Sequence, residues 1–125
     1  IRSVADSAYD FRTMRPIGAE PYVLYDVNYV LRGPYEGLHH AATLKSPKNG
    51  LQMELWTTEP GVQFYDGHLL DMPVQGLGGA RYGRHGGLCL EPQRFPDSPN
   101  NAHFPSSILL PGQVSRQISE LRFSR

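Results

Sequence analysis

An all-β sandwich is the fold class that this sequence of 125 residues predicts. Short runs rich in β-branched and aromatic residues recur along the chain. The runs are punctuated by 13 glycines and 11 prolines, about a fifth of the whole. Gly and Pro also recur too often for a long apolar stripe of helical period to form. Many short strands joined by Gly/Pro turns suit a sandwich better than a bundle.

In chain order, the first strand is expected in YVLYDVNYVL, Tyr22 to Leu31. A hairpin follows, with arms HAATLKS and LQMELWTT around PKNG. Pro47, Asn49 and Gly50 supply its turn chemistry, and Gly50 is free to take positive φ. In the second arm Leu51, Met53 and Leu55 alternate with Gln52, Glu54 and Trp56, the period of a half-buried strand. GVQFYDG is a short strand bounded by glycines, and GGLCLE is another. Only the C-terminal QVSRQISELRFSR could pass for a helix; its mixture of Val114, Ile118 and Phe123 with polar partners is read as a strand. No repeat, low-complexity tract or linker interrupts the chain, so residues 1–125 are expected to belong to one domain.

The totals exclude several classes of function. Twelve basic and twelve acidic residues cancel, so the net field gives no argument for nucleic acid or an anionic membrane surface. No apolar run is long enough to span a membrane as a helix. The lone Cys89 excludes an internal disulfide and a zinc site built from several thiolates. It is expected of a reducing compartment such as the cytoplasm, although a disulfide-free periplasmic protein would look the same. The five histidines show no metal-ligand spacing, so no metal site is expected. No P-loop, dinucleotide fingerprint or nucleophile elbow is present. The chain starts at Ile1, which is expected of a processed or partial polypeptide.

Three polar residues stand out. In LCLE, Leu88 and Leu90 face one way and Cys89 and Glu91 the other. Glu91 is then expected at the strand's end, where Pro92 interrupts pairing. A carboxylate there is well placed to meet a ligand; local pattern alone favours an exposed acid beside a turn. Gln63 shares a face with Tyr65, opposite Val62 and Phe64. An amide and a ring side by side suit a sugar, although the local pattern alone favours a solvent face with a buried tyrosine. Asp26 lies inside the apolar VLYDVNYVL, with Asn28 two residues on. A carboxylate there must be paired, hydrogen-bonded or open to a cleft.

These pieces occur together in a recognisable order. AYDFR (Ala8–Arg12), YDVNYVL (Tyr25–Leu31), LQMELWTTEPGVQFYDGHLL (Leu51–Leu70), GGLCLEPQRFPDSPNNAHFPSSILLPGQ (Gly86–Gln113) and the closing LRFS span nearly the whole chain. Together they resemble the C-terminal part of the aldose 1-epimerases, the galactose mutarotase family. TTEPGVQFY, GLCLEPQ and FPDSPN in combination are specific to it.

The resemblance implies part of a large, mostly antiparallel supersandwich and an isomerase of carbohydrate metabolism. It would interconvert the α and β anomers of aldohexoses such as galactose and glucose, with no metal or organic cofactor. It implies that Glu91 matches the general base, that Asp26 matches an aspartate binding sugar hydroxyls, and that Gln63 matches a substrate-contacting glutamine. The family's general acid is a histidine from the N-terminal portion, as are a second histidine and an arginine of its sugar site. None of the histidines here falls in that context. His68 stands where asparagine is usual, and Val27 replaces the histidine of a DHNYVL pattern. The chain is therefore expected to need an N-terminal half as its partner. Without it, two other readings are open: a carbohydrate-binding, catalytically inactive module, or a purely structural sandwich domain.

Overall fold

The computed structural model describes residues 1–33 and 35–125. These residues form six strands: β1 (Asp26–Val30), β2 (His39–Lys45), β3 (Gln52–Thr57), β4 (Gly61–Tyr65), β5 (Cys89–Gln93) and β6 (Ser119–Ser124). Among the described residues the helical segments are three 3-10 turns, at Ile17–Ala19, Leu77–Gly79 and Ser98–Asn100. The all-β expectation holds. The strands form two three-stranded sheets, ordered β1-β4-β5 and β2-β3-β6.

The chain divides into two compact units. One comprises Ile1–Asp26 and Tyr65–Leu88, the other Val27–Phe64 and Cys89–Arg125. In the second unit β2 and β3 form the expected antiparallel hairpin, with Lys45 opposite Gln52. Gly50 takes φ +73° in its turn, and its N–H bonds the Ser46 carbonyl at 3.0 Å. The register slips between His40 and Ala42, so Ala41 forms a bulge that lets both alanines meet the core.

Alternation sorts the faces of this sheet. Leu55 lies between Ala42 and Leu121, and Met53 between Leu44 and Phe123. The opposite face carries His40, Trp56 and Glu120 abreast, with the Arg122 guanidinium 4.2 Å over the Trp56 ring. The core joins Leu31, Leu55 and Val62, with Tyr29, Ala41, Ala42 and Leu90 packed around them. Side chains from both sheets thus meet face to face, as in a sandwich. Leu55 is 2% exposed, and Leu55→Ala is expected to cost about 2–5 kcal/mol, measurable as a fall in the urea midpoint. Strand β6 is exposed along its whole length, and Leu121 and Phe123 on its apolar side stay open to solvent.

The structure corrects three strand boundaries. The first strand opens at Asp26 rather than Tyr22, because the Val23 N–H closes a turn onto the Glu20 carbonyl. Only Ser119–Ser124 of the C-terminal segment is strand. Strand β5 runs through Pro92 to Gln93, so Glu91 sits at its middle and not at its end. Proline is tolerated because β5 is an edge strand, where the missing N–H is not needed by a neighbour.

Candidate active site

The face of the β1-β4-β5 sheet that is turned from the core carries the polar residues. Val62 and Leu90 belong to the core packing. Alternation along β4 and β5 therefore sends Gln63 and Glu91 to the opposite face. Gln63 is partly buried and Glu91 is exposed. Two residues beyond Glu91, the Gln93 amide Nε2 donates to Asn28 Oδ1 at 3.3 Å. Gly61 makes room for this bridge: a Cβ there would stand 2.9 Å from Asn28 Oδ1 and 3.0 Å from the Phe95 ring. The side chain of Gln117 fastens the outer edge of β5, with Nε2 donating to the Pro92 carbonyl at 2.8 Å.

A cleft of about 500 Å³ opens in the same unit. Its lining includes Glu59, Gln93, Arg94, Ser106 and Arg116. The Glu59 carboxylate is buried and is met by Arg94 Nε at 3.4 Å. Glu91 and Gln63 are not among the lining residues. Among the described residues no cluster of three or more His, Cys, Asp or Glu side chains could hold a metal ion, and no helix is long and apolar enough to cross a membrane.

In the other unit Asp26 opens β1 and is exposed. Its chain neighbour Tyr25 is 1% exposed and is held on every side. The Tyr25 ring meets the edges of Tyr9 and Phe11 at 5.7 and 5.3 Å, and its hydroxyl donates to the Ala8 carbonyl at 2.9 Å. Arg15 donates to the Ala8 and Asp10 carbonyls and stacks 4.5 Å over Phe11. The AYDFR motif is thus the bracket that fixes Tyr25, and through it the start of β1. Beside it, the Arg12 guanidinium holds the Asp10 carboxyl down at about 2.

One constellation escaped the sequence reading. Asp66 is buried, at 5% exposure. Its Oδ1 accepts from the His68 backbone N–H at 3.0 Å and from His68 Nδ1 at 2.7 Å. Its Oδ2 accepts the Tyr25 N–H at 3.2 Å. His85 Nδ1 lies 3.7 Å from Oδ2 and 3.1 Å from the Asp66 carbonyl oxygen. The D-x-H spacing in YDGHLL was the available signal, since a carboxylate two residues before a histidine can close a turn onto it.

Burial alone would raise the Asp66 carboxyl. The His68 ring and the backbone N–H groups of Tyr25 and His68 outweigh it and hold the carboxyl below its ordinary value. A depressed folded value stabilises the fold above the unfolded carboxylate range, and that stability is lost as pH falls through the folded value. Acid titration of the urea midpoint is therefore expected to fall less steeply in Asp66→Asn than in the parent. Equal slopes would remove Asp66 from the acid response.

The sequence pattern of the aldose 1-epimerase family matches residues 1–122. A galactose mutarotase of Bos taurus is 37% identical over 99% of this chain and 37% of its own length. An aldose 1-epimerase of Escherichia coli is 32% identical over 98% of the chain and 38% of its own length. The crystal structure of an aldose epimerase homologue from C. elegans superposes with a TM-score of 0.85 at 28% identity, covering 98% of this chain and 38% of that one. The chain spans a little over a third of the length of these relatives. With the family pattern running through all six strands but the last two residues of β6, this chain belongs to the aldose 1-epimerase family.

Proposed function

We propose that this chain is the base-bearing portion of an aldose 1-epimerase acting on aldohexoses such as galactose and glucose, and that an N-terminal portion of the same protein completes it. The observation that carries the reading is Glu91 at the middle of β5, on the face turned from the core that Gln63 shares, inside the segment the family pattern matches.

In the reaction the Glu91 carboxylate takes the proton from the anomeric O1 hydroxyl. A general acid protonates the ring oxygen O5 as the C1–O5 bond breaks and the C1 carbonyl forms. Rotation about C1–C2 presents the other carbonyl face. The O5 hydroxyl then adds to C1, returns its proton to the acid's conjugate base, and O1 recovers a proton from Glu91. Protons and electron pairs balance over the cycle, so no redox cofactor is needed. Gln63 contacts the sugar through its amide, and Asp26 accepts hydrogen bonds from ring hydroxyls, which sets C1 and O5 against the acid and the base. The acid comes from the N-terminal portion. The exposed apolar side of β6, with Leu121 and Phe123 open, is consistent with further chain covering it.

Polarimetry tests the reading. Freshly dissolved α-D-galactose is expected to reach equilibrium rotation faster with the full-length protein than in buffer. This chain alone is expected to bind hexose in ligand-observed NMR without accelerating the change. No acceleration by the full-length protein would leave a sugar-binding module. In the same assay Asp26→Ala removes hydrogen bonds to a charged group, about 1.5–3 kcal/mol of binding, so KM is expected to rise roughly 10- to 100-fold. An unchanged KM would remove Asp26 from the sugar site.

A further inference from the structure

The Asp66 constellation is out of proportion to a surface turn. Three N–H donors converge on one buried carboxylate: the backbone of Tyr25, the backbone of His68 and His68 Nδ1. Asp66 also donates its own N–H to the Tyr25 carbonyl at 3.0 Å. It therefore grips both main-chain groups of the residue that immediately precedes Asp26. The grip is itself locked. The His68 side chain is 10% exposed, and its ring meets the edge of Tyr65 at 5.2 Å. The Tyr65 hydroxyl in turn accepts the Leu69 N–H at 3.0 Å. On the far side, the Tyr25 ring and hydroxyl are fixed by Tyr9, Phe11 and Ala8.

We propose that Asp66, oriented by His68, is a positioning residue that fixes the backbone at Tyr25 and so aims the exposed carboxylate of Asp26 at the sugar. The proposal rests on the reading of Asp26 as the residue that binds sugar hydroxyls. Chemistry explains why an acid is needed. A carboxylate presents two acceptor oxygens and accepts all three donors at once, whereas an asparagine presents one oxygen and turns an NH2 toward the remaining donor. Burying such a group is unfavourable unless its bonds are made, and here they are made to the residue next to Asp26. His68 serves as donor to Oδ1 and needs no contact with substrate. The titratable groups facing Asp66 are His68 and His85, the latter reaching both Oδ2 and the main-chain carbonyl.

The test uses the full-length protein and hexose mutarotation. Asp66→Asn is expected to raise KM roughly tenfold, the loss of a hydrogen bond to a charged acceptor, with a smaller change in kcat. His68→Ala is expected to act in the same direction, while His68→Asn, whose amide supplies a donor to Oδ1, is expected to return KM to within about threefold of the parent. In the Asp26→Ala background Asp66→Asn is expected to add nothing, because a positioning residue has no effect once its target is gone. A merely structural role would give additive losses. Amide exchange at Tyr25, measured without sugar, is expected to accelerate in Asp66→Asn.

The outcomes separate. If Asp26→Ala leaves KM unchanged, the reading of Asp26 fails and the proposal with it. If Asp26→Ala raises KM while folded Asp66→Asn does not, the reading stands and the proposal is overturned. Should Asp66→Asn fail to fold, the His68 pair decides: equal KM values for His68→Ala, His68→Asn and the parent overturn the proposal, and loss with rescue supports it.

Discussion

Glu91→Gln in the full-length protein is expected to slow mutarotation of α-D-galactose by about 10²- to 10⁴-fold, the usual worth of a positioned general base. The substitution is nearly isosteric and removes only the capacity to take the O1 proton. Hydrogen bonding to the hydroxyl survives, so KM is expected to change little, and the loss falls on kcat. The position makes the experiment clean. Glu91 is exposed and lies on the face of β5 opposite Leu90, which carries that strand's contact with the core. Unfolding stability is therefore expected to stay within about 0.5 kcal/mol of the parent. A rate equal to the parent's, with the fold intact, would dismiss Glu91 as the base; a rate at the buffer level would support it.

The strands were legible where local pattern and turn chemistry agree. The β2–β3 hairpin follows from alternation between Leu51 and Trp56 and from a glycine able to take positive φ, and Gly50 takes it. Boundaries were misread where tertiary position decides. Pro92 would break an inner strand, but β5 lies at a sheet edge, and edge position is not written in five residues of sequence. Tyr22–Leu24 have strand composition, yet a turn at Glu20–Val23 keeps them out of the sheet. Of the proposed site, Glu91, Gln63 and Asp26 were candidates from motifs alone. The contacts that support them could not. The Asn28–Gln93 bridge joins residues 65 positions apart, and Tyr25 reaches Asp66 across 41. Such pairs become visible only when strands are set side by side, which is why His68 read as a departure from a pattern while the carboxylate it holds went unmarked.

Gly67, between Asp66 and His68, has neither the conformational freedom nor the room for a side chain, and Gly67→Ala is expected to be strongly destabilising. Two independent terms act. Gly67 takes φ +73°, in the left-handed region where a side chain costs about 1–2 kcal/mol. An added Cβ would also press into the Gly87 carbonyl oxygen and stand 3.0 Å from Leu70 Cδ1. Backbone cannot swing aside as a flexible side chain can, and overpacking of this kind costs about 1–3 kcal/mol. Together they amount to roughly 2–5 kcal/mol. Relief would require moving the Gly67 carbonyl, which accepts the N–H groups of Leu70 and His85 at 3.0 and 2.9 Å. That motion drags His68 from Asp66, so the destabilised protein is also expected to show faster amide exchange at Tyr25. Gly18→Ala is the control. It has ordinary φ and nothing within 4 Å of its added methyl, and its unfolding free energy is expected to stay within about 0.5 kcal/mol of the parent, with a nearly unchanged urea midpoint. With m unchanged, a lower midpoint for Gly67→Ala alone would fix the cost on this turn. Equal midpoints for the two variants would mean that the Asp66–His68 turn yields to a methyl group and is not the rigid support argued for it.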